Sequence, residues 1–124
     1  MSKLPFSLRA CTLLCVSLLA AAPVAHAGEI KMLMQDMKLA MRGAMASTTM
    51  PELSGYVTRL ESDVQQASRQ PYRSDQPTYN EGMQALRQEL AEVDQAIHAN
   101  DMNAAKQALC RINDTKKHYH DLLD

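Results

Sequence analysis

The sequence predicts an all-α protein, an up-down-up-down antiparallel four-helix bundle that follows an N-terminal signal peptide. Apolar residues after residue 28 recur at helical spacings of three and four, and no segment alternates with period two for long enough to form a sheet. Capping sequences mark the starts of the helices. Aromatic residues make up only 4% of the chain, with no Trp, which disfavours a β-sandwich.

The first 27 residues have the features of a secretory signal peptide. A basic start precedes a mostly apolar run over residues 10–22, which is too short to span a membrane as a helix. Ala25-His26-Ala27 is an A-x-A cleavage signal. Cleavage after Ala27 would leave one domain, residues 28–124, in the periplasm, with a formal net charge of −3 and no membrane segment. An uncleaved anchor is the alternative.

The first two helices follow from apolar stripes. Helix 1 is predicted over residues 29–46, with Met32 pointing away from its stripe. Helix 2 is predicted to begin at Thr49, where a capping box places Pro51 in the first turn, and to end near Arg69. The stripe residues are Ile30, Leu33, Met34, Met37, Met41 and Ala44, then Met50, Leu53, Val57, Leu60, Val64 and Ala67.

The last two helices follow one long linker, residues 70–77, whose two prolines bar a continuous helix. Helix 3 is predicted to open with a capping box at Thr78 and to end at Asn100-Asp101, which would cap helix 4 over residues 102–123. Short, long and short connections predict a four-helix bundle, with a dimerising pair of helical hairpins as the alternative. The inward-facing residues are Tyr79, Met83, Leu86, Leu90, Val93 and Ile97, then Ala105, Leu109, Ile112, Tyr119 and Leu123.

No catalytic signature occurs in the sequence, and we expect a protein that is not an enzyme. It contains no Ser-His-Asp spacing, Gly-rich phosphate loop, H-E-x-x-H or C-x-x-C motif. The Glu-x-x-His pairs that di-iron bundles need are absent. The chain is not basic, so nucleic acid is not an expected partner. His and Met remain as residues that can bind a metal or haem iron.

Met34 and His120 are predicted to face each other across two helices. In this topology helices 1 and 4 are antiparallel neighbours, so a residue one turn into helix 1 meets a residue one turn before the end of helix 4. His118 is expected to be exposed, and His98 to lie at the opposite end of the bundle. Met34 and His120 also have ordinary explanations. A Met on an apolar stripe commonly fills a core, and a His near the C-terminus of a helix interacts favourably with the helix dipole.

Three features carry a resemblance to a known family. A signal peptide precedes a chain of about 97 residues, Met34 would be the seventh mature residue, and Thr115–His120 places a Tyr before a His near the chain end. In these features the mature chain resembles the soluble periplasmic cytochrome b562 family. The resemblance implies an electron carrier with one non-covalent haem b per chain, whose axial ligands are Met34 and His120.

The pocket expected around that haem is looser than the family pattern, which places Phe residues on helix 3. Met/His ligation would fill both axial positions, which suits one-electron transfer and raises the reduction potential. Covalent c-type attachment is not expected, because C-x-x-C-H is absent. The propionates would face the linker, with Arg73, Arg87, Lys116 or Lys117 as candidate partners. The expected pocket residues are Leu33, Met37, Met83, Leu86, Lys116 and Tyr119.

Two haem-free functions stay open at this point. The surplus of Met on helix 1 could bind Cu(I), since soft thioethers prefer a soft metal. The bundle could instead be an interaction module that binds a partner helix. Cys110 is expected to face solvent, either as an incidental thiol or in an intermolecular disulfide. We expect a monomer, with a dimer through Cys110 as the alternative, and a redox partner protein that the sequence does not identify.

Overall fold

A computed structural model describes residues 27–124 of the chain. The predicted signal peptide lies outside these residues, except for Ala27. The described part contains no strand, which confirms the all-α prediction, and no helix in it has an apolar stretch of membrane-spanning length. Its elements are α1 (Ala27–Ala46), α2 (Met50–Ala67), α3 (Gln76–His98) and α4 (Met102–Leu123).

The four helices form an antiparallel bundle in which two hairpins pack side by side. Thr115 of α4 donates to Glu89 of α3 at 2.5 Å, and Tyr119 of α4 donates to Glu81 of α3 at 3.2 Å. The later residue on α4 pairs with the earlier residue on α3, so the two helices are antiparallel. The α1–α2 and α3–α4 pairs pack most extensively, whereas α1 and α4 touch least among the four neighbouring pairs of helices. The seam between α1 and α4 is therefore the loosest in the bundle.

One apolar core fills the space between the helices, and the predicted stripes supply it. Tyr79 is its largest fully buried side chain, and its hydroxyl donates to the backbone oxygen of Ala67 at 2.5 Å. The ring of Tyr79 stacks on Tyr72 with 4.9 Å between centroids. The Tyr72 hydroxyl in turn donates to the backbone oxygen of Leu123 at 3.2 Å. The linker is thus fixed to the ends of α2, α3 and α4.

The start of α3 differs from the sequence prediction. The N-cap is Asp75 rather than Thr78, and the helix begins at Gln76. One carboxylate oxygen of Asp75 accepts from the backbone N–H of Thr78 at 3.2 Å, and the other accepts from its hydroxyl at 2.7 Å. These bonds hold the pKa of Asp75 below its ordinary value. Pro77 is compatible with the helix, because a Pro in the first turn removes no intrahelical hydrogen bond.

The other two predicted caps are confirmed. The Thr49 hydroxyl accepts from the backbone N–H of Glu52 at 3.4 Å at the start of α2. The Asp101 carboxylate accepts from the backbone N–H of Ala104 at 3.0 Å at the start of α4. Asn100 makes the turn before it with φ 53°, a left-handed conformation that Asn tolerates better than most residues.

Candidate functional site

A cavity of about 110 Å³ lies between α1, α3 and α4, at the end of the bundle where α1 begins. Met34 lines it from α1, and His120 lines it from α4. The Met34 side chain is half-buried, while His120 is exposed at the cavity mouth. The structure therefore brings to one cavity the thioether and the imidazole that helix register pairs in the sequence.

Most of the pocket residues expected from the sequence line this cavity: Met37, Met83, Leu86, Lys116 and Tyr119. Leu33 is not among the lining side chains, although it is half-buried and packs against the core. Leu33 lies about 100° around α1 from Met34, toward the side on which Asp36 binds Arg59 of α2. Leu33 is therefore on the side of α1 that faces α2, away from the cavity.

Other residues line the cavity but are not among the pocket residues predicted from the sequence: Ile30, Tyr72, Tyr79, Gly82, Leu123 and Asp124. Tyr79, Leu123 and Ile30 stand on predicted apolar stripes, so that pattern could have identified them. Tyr72 comes from the linker, where no periodicity indicates which side chain turns inward. It reaches the cavity because its ring stacks on Tyr79.

Gly82 and Tyr119 together shape one wall of the cavity. The ring of Tyr119 lies so close to Gly82 that a Cβ atom there would be 2.9 Å from its Cγ atom and 3.0 Å from its Cδ1 atom. Only glycine leaves that space to the ring. Burial raises the pKa of the Tyr119 hydroxyl, and the neighbouring Glu81 carboxylate raises it further. The bond to Glu81 is exposed, so the ring is held on its outer side by a contact that water can replace.

Lys116 provides the positive charge in the lining. Burial lowers its pKa, and the nearby Lys38 ammonium lowers it further. Within residues 27–124, no carboxylate lies within salt-bridge distance of Lys116. An anionic group entering the cavity would therefore meet a cation that has no existing ion pair to give up.

The remaining described histidines lie away from the cavity lining. His118 is exposed, and its ring stands edge-on to Tyr119 with 5.1 Å between centroids. His98 lies at the far end of α3, with its Nδ1 atom 2.8 Å from the backbone oxygen of Asp94. No cluster of three or more His, Cys, Asp or Glu able to hold a metal ion occurs in the described part of the chain.

The donor set fits haem iron better than a free metal ion. One thioether and one imidazole on facing helices match the two axial positions of a six-coordinate haem. The surrounding wall is mostly apolar, and the absence of a side chain at Gly82 leaves room at α3. The site thus combines two axial ligand types with a hydrophobic surround and one unpaired cation.

A comparison with protein-family models identifies the family of this chain. The model of the cytochrome b562 family matches residues 29–123, which include nearly all of the four helices. The comparisons with curated proteins and with solved structures gave no match. Cytochromes of this family are electron carriers that hold haem b without a covalent bond. On the strength of this match across the bundle, the chain belongs to the cytochrome b562 family.

Proposed function

We propose that this chain is a periplasmic electron carrier that holds one haem b with Met34 and His120 as its axial ligands. The observation that carries the proposal is that these two side chains reach one apolar cavity from facing helices of a cytochrome b562 bundle. We expect the carrier to act as a monomer that exchanges electrons with a separate redox protein.

The ligand set determines the kind of chemistry. Bound haem supplies a one-electron couple between ferric and ferrous iron. Met34 and His120 would occupy both axial positions, which leaves no open position for oxygen or a substrate. The thioether of Met34 favours the ferrous state relative to a second imidazole. Met37, Met83 and Leu86 give the cavity an apolar wall, which further disfavours the additional positive charge of the ferric state.

The cavity must widen to admit a porphyrin, since about 110 Å³ is too small for the ring. The loosely packed α1–α4 seam is where the bundle yields most easily. Tyr119 can leave Gly82 by giving up an exposed hydrogen bond to Glu81. His120 is exposed in the last turn of α4 and is free to turn inward. The side chains that must move are therefore those held by the weakest contacts.

Lys116 is the lining cation best suited to the haem carboxylates. It has no ion-pair partner within the described residues and is already partly desolvated. Pairing with a carboxylate would restore its pKa toward the ordinary value, since an opposite charge favours the charged form. Lys116 would therefore anchor the carboxylate edge of the haem, while Met34 and His120 would hold its iron.

Histidine variants test this assignment. We expect His120→Ala to abolish low-spin haem binding, because it removes the one imidazole that lines the cavity among residues 27–124. His118→Ala and His98→Ala are matched controls that should bind haem like the parent. Acid acetone should extract the haem, because the chain has no C-x-x-C-H motif for covalent attachment. Haem binding lost on His118→Ala and kept on His120→Ala would refute the ligand assignment.

A further inference from the structure

A second groove, of about 390 Å³, lies farther along the α1–α4 seam and shares Lys116 with the first cavity. Sulfur-bearing side chains and cations both line it. Its lining residues are Lys38, Met41, Arg42, Met45, Cys110, Asn113, Asp114 and Lys116. Neither the haem ligands nor the apolar pocket residues of α3 take part in it.

The fold brings three sulfur-bearing side chains to this groove. Met41 and Met45 are four residues apart, so they lie on one face of α1, and both are half-buried against the core. Cys110 is a free, exposed thiol on α4. The Lys106 ammonium donates to the backbone oxygen of Ser47 at 2.7 Å, which sets the register of the two helices at this level.

The methionines of α1 are thus divided between two sites. Met34 and Met37 line the first cavity, Met41 and Met45 line the second groove, and Met32 is 71% exposed. The second pair is not needed for haem ligation. It lies instead beside the single thiol of the described residues.

The chemistry of the groove selects a soft monovalent ion. One thiolate and two thioethers prefer Cu(I) to harder metals. The lining holds three cations, Lys38, Arg42 and Lys116, and one carboxylate, Asp114. A divalent ion bound to one thiolate would keep a net positive charge beside these three cations. A Cu(I)–thiolate unit is electrically neutral and avoids that repulsion.

We propose that Met41, Met45 and Cys110 form a Cu(I) site in this groove, separate from the haem cavity. On binding, the S–H bond of Cys110 breaks, its proton passes to solvent, and a copper–sulfur bond forms. The thioethers donate lone pairs, and copper stays in the Cu(I) state, so no electron acceptor is required. Methionine has three rotatable side-chain bonds, which let both sulfur atoms reach the ion.

An anaerobic Cu(I) titration against a chromophoric Cu(I) chelator tests the site. The full chain carries Cys11→Ser and Cys15→Ser in every sample, so that Cys110 is the only thiol. We expect one tightly bound Cu(I) and about one released proton per chain. Cys110→Ser should weaken binding by more than about a hundredfold, since even the loss of an outer-shell partner costs 10- to 100-fold.

Volume-conserving variants separate the thioethers from the thiol. Met41→Leu combined with Met45→Leu should weaken binding by more than about tenfold while keeping the far-UV circular dichroism of the parent. Met32→Leu, on the exposed face, and Met34→Leu, in the haem cavity, are matched controls that should bind Cu(I) like the parent.

X-ray absorption at the copper edge gives a readout that does not depend on any variant folding. Three sulfur neighbours are expected around the ion. Fewer than three sulfurs, or nitrogen or oxygen neighbours in their place, would overturn the site. Binding as tight in Cys110→Ser or in the double leucine variant as in the parent would overturn it too, as would a loss confined to Met34→Leu.

Discussion

Replacing the buried carboxylate of Asp63 should make this bundle more stable. Asp63 is 6% exposed, and its Oδ2 atom has no hydrogen-bond partner within the described residues. Burial, together with a smaller contribution from the neighbouring Asp36 carboxylate, raises the pKa of Asp63 to about 6. Arg59 binds Asp36 instead and holds the pKa of that carboxyl near 2. Asp63 is therefore the poorly compensated member of the cluster.

The magnitude follows from the pKa of Asp63. A rise of about two pKa units above the ordinary 3.8 means that the charged carboxylate lowers the free energy of unfolding by about 3 kcal/mol at neutral pH. The folded state binds this proton more tightly than the unfolded chain, so the stability it contributes is fully present below about pH 4 and is lost as pH rises through about 6. Asp63→Asn removes the charge, and its amide can donate to Asp36. Because burying the polar amide has a cost of its own, we expect Asp63→Asn to raise the free energy of unfolding by about 1–2 kcal/mol at pH 7.5.

The assay is urea unfolding of the haem-free protein, followed by far-UV circular dichroism at pH 7.5 and pH 4. Most of the gain from Asp63→Asn should disappear at pH 4, where the carboxyl is protonated in the folded parent. Asp114→Asn, the same substitution at an exposed site, should change the free energy of unfolding by no more than about 0.5 kcal/mol. A lower stability of Asp63→Asn at pH 7.5, or an equal gain at both pH values, would refute the reasoning.

Three further outcomes follow from the structure. Glu61 faces Asp94, and burial raises its pKa to about 7, so Glu61→Gln should stabilise the protein at pH 8 but little at pH 4 in urea unfolding. Tyr79→Phe removes the hydroxyl that donates to the buried oxygen of Ala67, which keeps the backbone N–H of Gln70 as its other donor, so it should lower the free energy of unfolding by about 0.5–1.5 kcal/mol, whereas Tyr56→Phe should change it little. Haem at about a thousandfold excess over Kd should raise the free energy of unfolding by about 4 kcal/mol and Tm by on the order of 15 to 30 °C, as measured by thermal circular dichroism. Equal Tm values with and without haem would contradict the proposed function.

Periodicity and caps predicted most of the fold. The apolar stripes gave α1, α2 and α4 nearly to the residue, and Thr49 and Asp101 cap as expected. The start of α3 was missed because Asp75 and Thr78 are both good caps on either side of a proline. The choice between them depends on the path of the linker, which a local pattern does not contain.

The candidate site was predictable where it depends on helix register. Antiparallel packing places Met34 level with His120, and both line one cavity. Tyr72 was not predictable, because its position depends on stacking with Tyr79 across an irregular linker. Asp63 was missed for a different reason: a search for apolar stripes passes over a carboxyl group that is buried among them.

The absorption spectrum of the reduced protein after haem titration tests the central claim most directly. We predict the sharp α and β bands of six-coordinate low-spin haem for the parent and for Met32→Ala, whose side chain faces solvent. Met34→Ala should give five-coordinate high-spin haem with a lower reduction potential, because the thioether that favours ferrous iron is gone. A parent protein that stays colourless, or low-spin bands that vanish in Met32→Ala and persist in Met34→Ala, would contradict the account.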